Sequence, residues 1–375
     1  MHGTNRFSLK IDVKGSFKKK AVFMKPFIKL ADPSKYVACN WDLRADRASG
    51  DYWIAFFKRH LETILHLGTQ AATSGGEAPS DVLARTVACR AAFHRFFDAV
   101  LDSPPDSGPV TILRLDVWRD GILRRHGFVD AFADLKNSEN AKMLPLLPGV
   151  CRELDAMHAD PRGQLGAAVL GVFAGNIFDM GAEATTKAFL SGGGPDFFSV
   201  RGNITPRPWL FDDFDTFADR ALRDVAYRKV VYFIDNAGSD FLLGALPLMR
   251  WFAGRGARIV LAANERPTLN DMTIHDVSAW WGRIVEVEPS LKNLDIQRVS
   301  TGTGEPLIDL GAVSDELNDA ATDADLVILE GMGRGVESNL DAAFTCDALN
   351  LAMIKDQAVA KRHHGKLYDV VCRFR

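Results

Sequence analysis

Between residues 51 and 101, apolar positions in DYWIAFFKRHLETILHL and SDVLARTVACRAAFHRFFDAVL recur every three or four residues, the spacing of two amphipathic helices. Ser80 is a candidate N-cap for the second, and TSGGEAPS between them reads as a loop. DSPPDSGP (102–109) breaks the pattern before helical spacing resumes through LPGVCRELDAMHA and QLGAAVLGVFAGNIFDMGAEATTKAFL, so residues 40–190 read as mostly helix. Beyond SGGGP (191–195) and NITPRPW (203–209) the texture changes. Short β-branched runs alternate with helical stretches: KVVYFI, a helix over 240–253, ARIVLAA, a helix over 274–282, RIVEV, QRVST, a helix over 312–321, DLVILE, NLAMIK, a helix over 356–363, and LYDVVCRF. That alternation predicts an α/β fold with a largely parallel sheet and helices on both faces.

At 375 residues the chain is long for one core, so a helical subdomain over 25–203 beside an α/β domain over 204–375 is expected, with residues 1–24 as a flexible N-terminus. A net charge of −3 gives no general pull toward nucleic acid. The five cysteines are scattered without a CxxC pair, which suggests neither a disulfide framework nor a zinc site. The basic N-terminus lacks the apolar core of a signal peptide, and no apolar run reaches the ~18 residues of a membrane span. A cytoplasmic location is therefore expected, with no membrane or nucleic-acid partner; the oligomeric state is not legible.

In open α/β sheets, ligands bind beyond the carboxyl ends of the strands. KVVYFI is followed by Asp235 and Asn236, RIVLAA by Asn264 and, a little further on, Asp271, DLVIL by Glu330, and LNLAMI by Lys355. A single Asp or Asn in such a place is ordinarily an N-cap or turn former; the repetition from strand to strand is what asks for a ligand. Carboxylates and amide carbonyls suit Mg²⁺ or Mn²⁺, whose remaining positions are often taken by water and substrate phosphate. EGMGRG (330–335) matches neither GxGxxG nor the P-loop spacing, yet its glycines would let backbone N–H groups approach an anion, with Arg334 adding a charged fork. TGTGEP (301–306) reads as a turn, and His275, His363 and His364 lack partners at ligand spacing. Asn176 and Asp179 in AGNIFDMGA share a helix face, where they must be hydrogen-bonded, exposed or turned toward a site.

Three long stretches, FIDNAGSDFLLGALPLMRWFAGRGARIVLAANERPTLNDMT, DADLVILEGMGRGVESNLDAAFTCDALNLAMIK and AGNIFDMGA, together resemble the damage-control phosphatases, formerly domain of unknown function 89, in the subfamily marked by EGMGR. The similarity extends weakly through FFKRHLETIL and LRRHGFVDAFADLKNSENAKMLPLLPGVCRELD to about residue 25. The resemblance implies a Rossmann-like α/β/α sandwich with a helical N-terminal subdomain, and a divalent-metal-dependent phosphomonoesterase of the free-standing form. It implies Asp235, Asn236 and Asp271 as ligands of Mg²⁺, Mn²⁺, Co²⁺ or Ni²⁺, and a pocket shared with Asn176 and Asp179. The implied substrates are small phosphorylated metabolites, with 4′-phosphopantetheine and its oxidised or S-modified forms leading and sugar phosphates second.

On that reading Asp235 and Asp271 are the catalytic acids, Asp235 acting either as nucleophile or only as a ligand. Asn264, Glu330, Arg334 and Lys355 complete the candidate substrate contacts, Lys355 being equally suited to a plain salt bridge. Two other classes remain in play. A methyltransferase would want a glycine-rich turn after the first strand and an acid after the next, where this chain has DNAGSD and Asn264. A non-catalytic metabolite sensor would keep the pocket without turnover.

Overall fold

The computed structural model describes residues 24–177, 197–223 and 227–375. Six helices come first: α1 (Arg47–Ser74), α2 (Pro79–Ala99), α3 (Ile112–Arg125), α4 (Ala133–Met143), α5 (Leu147–Ala156) and α6 (Pro161–Asn176). A short α7 (Phe197–Gly202), β1 (Phe211–Asp212) and α8 (Phe214–Ala221) lead into the alternating half. There β2 (Lys229–Phe233), α9 (Leu246–Gly254), β3 (Arg258–Ala263), α10 (Ile274–Val287), β4 (Ile296–Ser300), α11 (Asp315–Ala321), β5 (Leu326–Glu330), β6 (Asp347–Met353), α12 (Gln357–Arg362) and β7 (Val370–Phe374) follow in turn. Two wide π-helical turns, Asp240–Ala245 and Met332–Ser338, follow β2 and β5.

The strands form one seven-stranded sheet in the order β1-β7-β6-β5-β2-β3-β4, parallel except where β7 runs against β6. The α/β expectation is met. Every residue of β5, and all but the first of β2 and β3, is buried, as in a sheet covered on both faces. Alternation divides the strands: Val230, Tyr232, Ile259, Leu261, Leu326 and Ile328 face one apolar cluster, while Val231, Phe233, Val260, Ala262, Val327 and Leu329 face another. A third cluster joins α1 and α3 to Ala352, Ile354 and Val371, so each of the three draws on residues from both sides of position 203.

Two local expectations are corrected. RIVEV is not a strand: Val277, Trp280 and Ile284 are buried on one side of a continuous α10, which begins with a capping box between Thr273 and Asp276 and meets no proline before Pro289. Pro79, not Ser80, opens α2, with Ala78 at the cap position, because the proline ring already supplies a helical φ and needs no N–H partner.

The order of connections fixes where a ligand belongs. From β2 the chain moves to β3 and β4 on one side, then returns to place β5 on the other side of β2. The carboxyl ends of β2 and β5 therefore flank the switch point, the crevice that open α/β sheets use.

Candidate functional site

Asp235 and Asn236 leave β2 at that crevice, and Asp271 returns to it through an isolated bridge with Asn236. The Met272 N–H donates to the Asp235 carbonyl at 2.9 Å and the Ala237 N–H to the Asn270 carbonyl at 2.9 Å, which locks the loop after β3 against the tip of β2. Residues 36 apart in sequence are thereby held side by side by backbone bonds, leaving their side chains available. Asn264 donates to Asp271 Oδ2 at 3.1 Å, while its own buried Oδ1 has no partner.

Arg334, on the turn after β5, is 1% exposed and spans the site: Nη1 bonds Asp235 Oδ1, and Nη2 bonds Asp271 Oδ2 at 2.6 Å. The two carboxylates thus converge on one positive charge. Gly331 lets this turn approach so closely, with φ 94° and ψ 156°, a region only glycine occupies readily. Beside them lies a third acid, Asp240, whose Oδ2 accepts from the Asn236 backbone at 3.1 Å, from Asn236 Nδ2 at 2.9 Å and from Asn176 Nδ2 at 3.0 Å. Asn176, the last residue of α6, also donates to Asp235 Oδ2 at 3.1 Å. Its carbonyl and Oδ1 accept from Lys355 Nζ at 2.7 and 3.2 Å, and the Lys355 charge also acts on Asp240 and Asp235. Asp179 lies outside the described residues.

Glu330, the last residue of β5, is fully buried on the same sheet face as Tyr232. Glu330 meets both the Tyr232 hydroxyl and the Asp240 carboxyl. A proton held on Glu330 supplies a bond to Asp240, and burial pushes Glu330 well above the usual carboxylate range. Burial also raises Asp235 well above that range, against the pull of Arg334, and raises Asp240 against the pull of Lys355. Among the described residues, Asp235, Asp240, Asp271 and Glu330 are buried together around Arg334 and Lys355, and each neighbouring carboxylate adds to the effect of burial. Burying several carboxylates together is costly, and a bound proton or cation reduces that cost.

All the sequence-predicted residues among the described ones therefore meet in one place. The spacing argument missed Asp240 and the group on α3, Asp116, Arg119 and Asp120. Arg119 pairs with Asp116 at 2.5 Å and Asp120 at 2.8 Å, and bonds Thr268 Oγ1 at 3.0 Å, bracing the loop that carries Asp271. Charged residues at the helical period of an otherwise apolar face were the available signal.

Asp235, Asn236 and Asp271 open onto a cleft of about 50 Å³, whose walls also include Trp53, Phe56, Phe57 and His60 of α1, the apolar Leu269, Leu307 and Met332, and the charged Asp116, Arg119 and Glu337. Hard oxygen donors, a cluster of buried carboxylates and the orphaned Asn264 Oδ1 together fit a divalent cation. Among the described residues no group of three His, Cys, Asp or Glu side chains is placed to hold a metal. No helix among them is long and apolar enough to cross a membrane.

Residues 87–371 match the model of the damage-control phosphatase ARMT1-like domain. The chain is 41% identical over 280 residues to a damage-control phosphatase of Arabidopsis thaliana, covering 74% of this chain and 76% of that protein. It is 36% identical to pantothenate kinase 2 of the same plant over 92% of this chain and 41% of that protein. It is 27% identical to the 4′-phosphopantetheine phosphatase of Mus musculus over 92% of this chain and 48% of that protein. The chain thus spans less than half the length of the last two. Its fold is similar to that of a DUF89 family protein from Pyrococcus horikoshii, with a TM-score of 0.55, 16% identity, and coverage of 84% of this chain and 96% of that one.

Proposed function

The chain belongs to the damage-control phosphatase ARMT1-like domain family, and from that premise we propose that it is a divalent-metal-dependent phosphomonoesterase of small phosphorylated metabolites, with 4′-phosphopantetheine and its oxidised or S-modified forms as the leading substrates. One observation carries the proposal: Asp235, Asn236 and Asp271 line a single cleft, and both acids already share one cationic partner.

These three side chains would hold the ion, with Mg²⁺, Mn²⁺, Co²⁺ and Ni²⁺ all suited to oxygen and amide donors. When bound, such an ion neutralises phosphate oxygens and stabilises the charge that develops as the ester bond lengthens. The chain's own residues do the rest. Arg334, relieved of balancing two carboxylates, can turn its planar fork to the phosphate, the geometry at which guanidinium excels. Lys355 and Asn176 hold Asp235 from behind, fixing its carboxylate by hydrogen bonds. The aromatic wall of α1 keeps bulk water from the reacting centre, which strengthens each of these interactions.

The test is hydrolysis of 4′-phosphopantetheine and of p-nitrophenyl phosphate by the chelator-treated protein, with and without each metal. Phosphate release should require added metal and should fall at least about a hundredfold in Asp271→Asn, while the circular dichroism spectrum is unchanged. Binding of the phosphorylated compounds without any turnover would make the protein a sensor and overturn the proposal.

A further inference from the structure

Three charged residues of α3 pack together, but they do not open the same way. Asp116 and Arg119 line the cleft that Asp235, Asn236 and Asp271 share, whereas Asp120 lines a small neighbouring cavity. Each guanidinium nitrogen of Arg119 is engaged: Nε bonds Asp120 Oδ1 at 2.8 Å, Nη1 bonds Asp116 Oδ1 at 2.5 Å and Nη2 bonds Thr268 Oγ1 at 3.0 Å. Asp116 is different. Its Oδ1 carries the bond from Arg119, and its Oδ2 accepts from no described residue. Asp120 Oδ2 is sealed from solvent without a partner; Asp116 Oδ2 is not sealed, and the side chain keeps 5% of its surface accessible where it lines the cleft. One oxygen anchored by a cation and the other open to the reacting centre is an arrangement suited to proton transfer there.

We infer that Asp116 is the general acid of the hydrolysis, passing a proton from Oδ2 to the ester oxygen as that oxygen leaves phosphorus. The inference rests on the phosphatase reading of the same cleft. As the P–O bond breaks, its electron pair stays on the leaving oxygen, which takes the proton and departs as an alcohol. Water supplies both the oxygen that phosphorus gains and the proton that restores Asp116. Arg119 steadies the resulting carboxylate through Oδ1. The surroundings keep a proton on Asp116 up to about neutral pH: burial, with the charges of Asp120 on α3, Asp271 after β3 and Glu305 after β4, pushes the carboxyl up to about 7 against the pull of Arg119. His60 of α1 and Glu337 of the turn after β5 are the other titratable groups on the cleft wall. An alkoxide leaves poorly unless it is protonated, so an alkyl phosphate needs such a donor; a nitrophenolate leaves without one.

The experiment uses two esters of nearly equal shape, p-nitrophenyl phosphate and p-nitrobenzyl phosphate, with Mg²⁺-loaded wild type and Asp116→Asn, folding being checked by circular dichroism. The substitution should lower kcat for the benzyl ester about a hundredfold more than for the phenyl ester, because only the benzyl alkoxide needs the proton. Wild type alone gives a second measure, which decides the matter should the variant not fold: the ratio of benzyl to phenyl rates should drop as pH rises through about 7. Carbon-13 NMR of the aspartate-labelled protein reads the group without turnover. A carboxyl signal titrating near neutrality should be present in wild type and missing in Asp116→Asn. An equal fall on both esters would reduce Asp116 to a brace for Arg119, and no fall on either would pass the role to another cleft group such as His60. Either result overturns the inference, as does a wild-type ratio that is flat with pH or the lack of that signal. Hydrolysis without the dependence on the leaving group refutes this inference alone; if wild type releases phosphate from no ester, the phosphatase reading falls and takes it along.

Discussion

Replacing Gly331 by alanine tests how the turn after β5 and the tip of β2 depend on each other. At φ 94° and ψ 156° the backbone is in a region that strains an L side chain by about 1–3 kcal/mol. The added methyl would also overlap Asp235 Oδ2 and stand 2.5 Å from Asp235 Cγ. Carbon atoms settle at about 3.5 Å or more, so the carboxyl group must retreat by about 1 Å. That retreat breaks its bonds from Asn176 and Asn236, of 3.1 and 3.0 Å, and draws it away from Arg334. A displacement of this size in a reacting group costs about a hundredfold in rate. The expected result is a loss of about 1–3 kcal/mol in urea denaturation together with a fall of about a hundredfold in kcat for p-nitrophenyl phosphate. Gly282→Ala is the control, since it lies in exposed α10 with open space around the new methyl; it should gain about 1 kcal/mol and keep full activity. Near-normal turnover in Gly331→Ala would refute the claim that Asp235 must stay where this turn holds it.

Two further perturbations probe the buried charges. Burial pushes the Asp116 carboxyl up to about 7 from its ordinary 3.8, against the pull of Arg119. Its folded-state value is the raised one, so the group favours folding most below about pH 4, and that contribution is lost as pH rises through about 7. The loss amounts to about 4 kcal/mol at most. Urea denaturation at pH 5 and pH 8 should show wild type losing more stability on alkalinisation than Asp116→Asn; equal losses would contradict the assignment. Lys355→Met keeps a similar shape but removes a buried cation and its two bonds to Asn176. It should lower kcat/KM about a hundredfold and cost about 1–3 kcal/mol by removing one of the cations buried among these carboxylates; unchanged activity would exclude Lys355 from the site.

The alternation of short buried strands and helices was legible because parallel strands covered on both faces must be continuously apolar, and β2, β3 and β5 are. The polar residues at their tips could be read for the same reason: nothing in a sheet's core explains them. RIVEV misled because an apolar β-branched run of five has the same local composition in a strand as at the end of a helix; only the longer period through Val277, Trp280 and Ile284 separates them. The pairing of Arg334 with both Asp235 and Asp271 was out of reach, since it depends on the order of strands around the switch point. So was the role of α1 as the cleft's aromatic wall. Its Trp53, Phe56 and Phe57 fit an ordinary amphipathic stripe, and sequence periodicity does not say which part of a buried face meets a cavity instead of a core.

The central claim is that Asp235, Asn236 and Asp271 together grip a single divalent ion. Isothermal titration of Mn²⁺ into the chelator-treated protein measures this directly, alongside the Asp235→Ala and Asp271→Ala variants with their folding checked by circular dichroism. The account predicts one ion per chain in wild type and no measurable binding in either folded variant. Undiminished Mn²⁺ binding in both variants would contradict it.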